Sequence, residues 1–365
     1  MRLTAAERVV CACLRGERDG VVDAEVLAAA RRHRVHLLLS AIAPPLEFAD
    51  PAAAPALKRE ERAAAAFDAR REGDTRRLLD AFGGAHIDVL AFKGAAVAHT
   101  LYAAPHLRPR TDVDLLIRRT DLDRAEQLLA TAGWQHPPEP EAEVFAAQRH
   151  YVKLRGPGAD WLLDLHWRVA NPRIFGDAMS FDELSSRAVA LPALGRTVRA
   201  PHHVDALWLA CIHRVAHHDD EIDLLWLWDV HLLVSRLSVD ERAAFAALAR
   251  RTAMTSVCHR GIAAATDLFA TPRSAPLLAA LAAGAVEPSA RFLGGVPRAS
   301  VFVSDLKSLS SWRARARLAA EHLFPPVEYM RARYPAWPPL LVPFAYVDRL
   351  VRGAPRWLRH NTSTD

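Results

Sequence analysis

Cysteine and lysine are both nearly absent from this chain of 365 residues. The four cysteines, Cys11, Cys13, Cys211 and Cys258, are too few for a disulfide framework in so long a chain. A metal site built from Cys11, Cys13, Cys258 and His259 would match no familiar zinc spacing. No run approaches the ~20 apolar residues of a membrane-spanning helix. Glu7 and Arg8 break the apolar start where a signal peptide needs continuity. A cytoplasmic protein with no transmembrane segment is therefore expected. Also missing is any concentrated basic tract, since 47 Lys and Arg against 42 Asp and Glu leave only +5. Without a long basic groove no long nucleic acid is expected as partner, and template-directed polymerisation is excluded. Neither an internal repeat nor a low-complexity linker is present.

The basic residues are arginine except at Lys58, Lys93, Lys153 and Lys307. Where arginine is so favoured, a retained lysine hints that a compact, mobile point charge is wanted. Lys93 and Lys153 fall in the segment that carries the chemistry.

Three regions follow from the patterning. Residues 1–80 are rich in Ala, Arg and Glu with helical periodicity, broken at Ala43-Pro44-Pro45 and Asp50-Pro51. Residues 81–200 form an α/β core. Its first strand is Ile87 to Phe92, with a helix from Gly94 to Tyr102 and a second strand from Asp112 to Ile117. Thr120 and Asp123 give a capping-box pattern for a helix from Leu122 to Ala132, stopped by Gly133. A hairpin follows, Gln148 to Leu154 turning through Gly156-Pro157-Gly158 into Trp161 to Val169. Residues 201–365 are helical again, with a basic, partly amphipathic end from Val347 to Arg359 that Pro355 should interrupt. The fold class is α/β in the α+β sense, a small core flanked by helices.

One run declares a chemistry. In Arg110-Thr111-Asp112-Val113-Asp114-Leu115-Leu116-Ile117, two carboxylates two residues apart share one face of a strand, while Val113, Leu115 and Ile117 face a core. Like charges side by side on a half-buried strand raise the cost of ionising one another. A divalent cation removes that cost, so the natural reading is a Mg²⁺ site for handling phosphates. In the last strand Trp161, Leu163, Leu165 and Trp167 alternate with Leu162, Asp164, His166 and Arg168, which displays another carboxylate on a polar face.

Lys93-Gly94, Arg108, Asp112-Val113-Asp114 and Asp164-Leu165-His166-Trp167 together resemble the nucleotidyltransferase superfamily with the polymerase-β-type palm. More narrowly they resemble a bacterial group whose pattern runs Lys-Gly, Arg-x-x-x-Asp-x-Asp-Leu-Leu, then Asp-Leu-His-Trp. The resemblance spans residues 85 to 350 and takes in the tail segment Phe324 to Arg331. It implies a palm with a mixed sheet, set between helical regions. It also implies that Asp112, Asp114 and Asp164 hold Mg²⁺, or Mn²⁺ in its place. The partners it implies are a nucleoside triphosphate such as ATP and an acceptor of unknown kind, whether small molecule, peptide or protein. Lys93, Gly94, Ala95, Arg108, Arg110 and His166 become candidates for nucleotide binding, with Gly94 letting backbone approach phosphate. Where the superfamily usually has Gly-Ser this chain has Gly94-Ala95, so one hydroxyl contact is missing.

Two rivals stand beside this reading. His202, His203, His218, Asp219 and Asp229 imitate a helical His/Asp phosphohydrolase site, although His213 and His217 sit at the i, i+4 spacing of buried structural histidines. The other rival is a non-catalytic nucleotide-binding or assembly module. Three converging carboxylates argue against it, since a scaffold has no physical use for them.

Overall fold

The structure, a computed structural model, describes residues 3–17, 20–42, 46–138, 146–155, 160–282 and 287–358. The break at Ala43-Pro44-Pro45, the turn Gly156-Pro157-Gly158 and the end of the basic stretch at Arg359 lie outside these residues.

Alternating apolar residues build the strands β1 (Val89–Ala91), β2 (Asp112–Ile117), β3 (Gln148–Lys153) and β4 (Trp161–His166). Two short strands, β5 (Val189–Ala190) and β6 (Arg199–Ala200), complete one six-stranded sheet in the order β3-β4-β2-β1-β6-β5. These last two were not expected, because two residues are too few to show a period. β2 runs parallel to β4 and antiparallel to β1, and β1 runs parallel to β6. The α+β class is what the patterning implied, and the mixed sheet what the resemblance implied.

The two faces of the sheet are buried by different partners. Val113, Leu115, Ile117, Leu163 and Leu165 pack with Leu78, Leu79 and Phe82 of the helix Ala53–Gly84. On the other face Leu90, Phe92 and Leu116 enter a larger core made by the helices His203–His218, Leu224–Arg236 and Thr255–Phe269. Val10, Cys11 and Val26 from the start of the chain join that same core. The long helix Ala53–Gly84 runs through residue 80. All four cysteines are buried free thiols. A sheet covered on both faces reads as apolar throughout, so Asp112, Asp114 and Asp164 interrupt what would otherwise be a continuous core.

Local signals held in part. The helix Lys93–Leu101 follows β1 directly, and Gly133 ends the helix Leu122–Thr131 in the left-handed region at φ +81°. The capping box at Thr120 and Asp123 is not formed. A 3₁₀ turn over Arg119–Asp121 leads into that helix instead, and Asp121 takes an ion pair from Arg124. Pro355 does not end the last helix, which runs Val342–Leu358. The carbonyl it leaves without a helical donor, that of Val351, belongs to an exposed residue that water reaches. Among the described residues no helix is long and apolar enough to cross a membrane.

Candidate active site

Parallel pairing of β2 with β4 sets Asp114 directly opposite Asp164, with Asp112 opposite Leu162. Because both strands alternate, the carboxylates of Asp112, Asp114 and Asp164 and the ring of His166 share one face. Among the described residues, Asp114, Asp164 and His166 are close enough to share a cation, one ligand atom from each lying within 4.8 Å of the others. Asp112 stands beside this group rather than in it. The sequence reading put three carboxylates in the cage, and the geometry gives two carboxylates and an imidazole, with the third acid adjacent.

Charge is managed unevenly across these groups. The Lys93 ammonium lies 3.1 Å from Asp114 Oδ1, and His166 Nε2 lies 3.1 Å from the same oxygen. Burial alone would raise the pKa of Asp114, but the Lys93 ammonium and the His166 hydrogen bond hold it well below the usual carboxylate range. Burial and the same ammonium push the His166 proton off. A neutral ring whose Nε2–H donates to Asp114 leaves Nδ1 as a buried atom with no partner. Asp112 gets less help, since the Lys93 charge and a backbone hydrogen bond only partly offset its surroundings. Burial, then Asp114 and Asp164, push it from its ordinary 3.8 up to about 6.

This has a measurable consequence for the metal-free protein. A folded-state pKa of about 6 above an ordinary 3.8 means the native state holds the Asp112 proton more tightly than the unfolded chain. Ionised Asp112 therefore destabilises the fold fully above pH 6 and not at all below pH 4. Asp112→Asn should stabilise the chelator-treated protein by roughly 3 kcal/mol at pH 8. Urea denaturation at pH 8 and pH 4 measures it, and the gain should vanish at the lower pH.

Lys93 itself is held under strain. Phe92 is extended and Lys93 has φ +49°, a left-handed conformation that costs a non-glycine residue roughly 1–2 kcal/mol. The kink turns the chain sharply from β1 into the helix and brings the ammonium over the acidic face. Lys153, the other lysine singled out, lies elsewhere and pairs with Asp74.

The two arginines have structural partners. Arg108 is buried and grips Asp229 with both Nε (3.0 Å to Oδ1) and Nη2 (2.6 Å to Oδ2), while Tyr102 Oη donates to Asp229 at 2.6 Å. Arg110 forms an ion pair with Asp68 at 2.9 Å and donates to the Pro105 carbonyl at 3.1 Å. Burial and neighbouring Arg71 lower its pKa to about 10. Both edge the cavity, but their charge is already balanced by protein carboxylates. Gly94 also has a different reason than expected. A Cβ there would sit 2.7 Å from Arg108 Nη1, so the glycine makes room for the buried guanidinium. Gly94→Ala should lose roughly 1–3 kcal/mol by displacing Arg108 from Asp229, read as a lowered urea midpoint. Ala95, the residue in the place of the superfamily's serine, is buried in the core behind the sheet.

Sequence reasoning missed two residues that β3 supplies. His150 pairs opposite Asp164, and its Nδ1 lies 2.6 Å from Asp164 Oδ1, while Gln148 Nε2 donates to Oδ2 at 3.0 Å. The hairpin itself contained the signal, because Gln148 and His150 share the phase that faces Asp164 and His166 across the antiparallel ladder.

The acidic face opens on a cavity of about 330 Å³ whose opposite wall is His213, His217, His218 and Trp226. His218 lies 3.9 Å from the Trp226 ring, centroid to centroid. Burial and the Lys93 charge hold His213 and His217 neutral, and His213 Nδ1 and His217 Nε2 have no protein partner. The phosphohydrolase arrangement is not assembled. His202 and His203 stand at one end of a sixteen-residue helix and His218 and Asp219 at the other, roughly 20 Å apart at 1.5 Å per residue. Asp229 is committed to Arg108.

A mixed sheet carries an acidic pair on a central strand, a third carboxylate on the strand beside it and a tight strand-to-helix turn at its edge, the arrangement that the resemblance to a nucleotidyltransferase palm implies. The chain belongs to the family described as uncharacterised nucleotidyltransferase, whose model matches residues 20–270. Among curated proteins none matches it. The family match begins well before the span of 85 to 350 drawn from the motifs, which fits the N-terminal helices sharing the helical core. It also ends before Phe324 to Arg331, so that tail segment lies beyond it.

Proposed function

We propose that the chain transfers a nucleoside monophosphate from a nucleoside triphosphate to a hydroxyl, amine or phosphate acceptor, releasing pyrophosphate. The observation that carries this is the set Asp112, Asp114 and Asp164, gathered on one face of adjacent strands and lining a cavity of about 330 Å³. The donor set is rich in carboxylate oxygen, and Asp112 ionises fully at neutral pH only against a cost. Both features fit a hard divalent cation, Mg²⁺ or Mn²⁺. Asp112, Asp114 and Asp164 would hold it, with His166 fixing Asp114 or completing the set. When bound, such an ion neutralises phosphate charge and makes the acceptor a better nucleophile.

The chain's own groups do the rest. Lys93 carries a mobile charge on a flexible stem, so it could turn from Asp114 to a phosphate oxygen of the substrate. Backbone N–H groups in the first turn of the helix Lys93–Leu101 supply an anion-binding end. The acceptor oxygen or nitrogen forms a bond to the α-phosphorus as the bond to the β-phosphate oxygen breaks, and pyrophosphate departs. Asp164 takes the acceptor's proton, and His150, with half its side chain in solvent, passes it to water. Gln148 keeps Asp164 oriented. The neutral histidine wall presents hydrogen-bonding and stacking groups rather than charge to whatever fills the far side.

The test is incubation with each α-labelled triphosphate, Mg²⁺ or Mn²⁺, and a panel of acceptors and cell extract. Label transfer or pyrophosphate release lost in Asp112→Ala and Asp114→Ala is the expected result. Metal-dependent nucleotide binding without turnover across the panel would make the chain a binding module instead.

A further inference from the structure

The last helix faces the wrong way for an ordinary terminal helix. Val342 and Ala345 point inward and build a small core with Met330. Phe344, Val347 and Val351 are 63, 59 and 67% exposed, and Leu340 on the turn before them is 89% exposed. Spacings of four, three and four residues place these side chains on one stripe. Arg349 lies on the inward side, where its Nη1 donates to the His322 carbonyl at 2.9 Å. A helix docked only for stability buries its apolar stripe, since that burial is where most helical stability comes from. This one presents the stripe to solvent. Trp312 on the helix Trp312–Leu323 and Phe324 just after it are 72 and 64% exposed as well.

Charge distribution indicates what meets this face. Residues 312–358 hold eight arginines against Glu321, Glu328 and Asp348, an excess equal to the +5 of the entire chain. The remainder of the protein is neutral overall. A second copy would set one positive surface against another. An acidic protein would be expected to offer anchors for a pocket, whereas here apolar tips are spread over several elements without a groove to receive them. Scattered apolar tips with interspersed arginines fit an acyl layer under phosphate headgroups, which guanidinium groups bind in bidentate fashion.

We infer that the segment from Trp312 to Leu358 is a membrane-surface anchor that lays the outward stripe of the last helix into an anionic lipid bilayer. The inference is independent of the chemistry proposed for the cavity, and it concerns a region beyond the family match. The test is flotation of the full chain with phosphatidylcholine vesicles and with vesicles containing about one third phosphatidylglycerol. The expected result is co-flotation with the anionic vesicles only, weakened by 0.5 M salt as an electrostatic contribution requires. The triple change Phe344→Ser, Val347→Ser, Val351→Ser should cut binding at least tenfold while leaving the melting temperature and any soluble transfer activity unchanged. Parent protein that floats with neither vesicle, or a triple variant that floats as well as the parent, would overturn the proposal. Tight binding to a poly-glutamate peptide without vesicle uptake would overturn it too and give the surface to an acidic protein.

Discussion

Asp114→Asn should lower nucleotide transfer by about three orders of magnitude, the largest effect expected of any single change in this protein. The substitution keeps the shape of the side chain and removes the charge on which Lys93 and His166 converge and which the proposed cation site needs. Losing that charge forfeits roughly 4 kcal/mol of transition-state stabilisation, the scale of removing one preorganised electrostatic group. The same change strands the Lys93 ammonium, whose side chain is only 10% exposed, without its anion. Breaking a buried pair by removing one partner costs roughly 3–5 kcal/mol, so the single variant should also melt earlier. The double variant Lys93→Met, Asp114→Asn separates the effects, because it removes the stranded ammonium along with the carboxylate. It should regain most of the stability and none of the activity. Transfer within tenfold of the parent in a well-folded Asp114→Asn protein would remove Asp114 from the mechanism.

Asp229→Ala should destabilise the protein by roughly 3–5 kcal/mol without touching the acidic face. Asp229 belongs to the helix Leu224–Arg236, while Arg108 and Tyr102 lie in the connection between the first two strands. The pair ties the helical core to the palm across 121 residues of chain. Burial would lower the pKa of Arg108, but Asp229 raises it, so the guanidinium stays charged and needs its partner. Removing Asp229 alone leaves that charge buried beneath Gly94. Replacing both partners, Arg108→Met with Asp229→Leu, should recover most of the loss, as apolar replacements of buried pairs commonly do. Urea unfolding of the three variants decides it. An Asp229→Ala protein as stable as its parent would show that the clamp contributes nothing.

How far the sequence reveals this protein depends on the range of the contacts involved. The acidic pair, Asp164 and the core faces of β2 and β4 were legible because a two-residue period is written locally, in Val113, Leu115 and Ile117 and again in Trp161, Leu163 and Leu165. Arg108 and Arg110 were not, because an arginine beside an acidic motif looks the same whether it awaits a phosphate or a distant aspartate. Their partners, Asp229 and Asp68, lie far off in the chain, and nothing local names them. For Gly94 the sequence suggested room for a close approach, but the visitor the structure shows, the Arg108 guanidinium, could not be read locally. The histidines near residue 202 and near residue 218 looked like one site because they are close in sequence, yet a straight helix holds them at opposite ends. His150 fell between these cases, since the hairpin was recognised but its cross-strand register was not read through to Asp164.

Parallel pairing of β2 with β4 has one more consequence, for the protein while it is being made. His166 meets Asp114 only across a separation of 52 positions, after a helix and the hairpin have closed the crossover. A chain still on the ribosome has no acidic cage until that hairpin emerges, and no opposing wall until His218 does. In a nascent chain the acidic face and the wall opposite it are thus both incomplete until the helix Leu224–Arg236, which brings Trp226, has followed the histidine-bearing one.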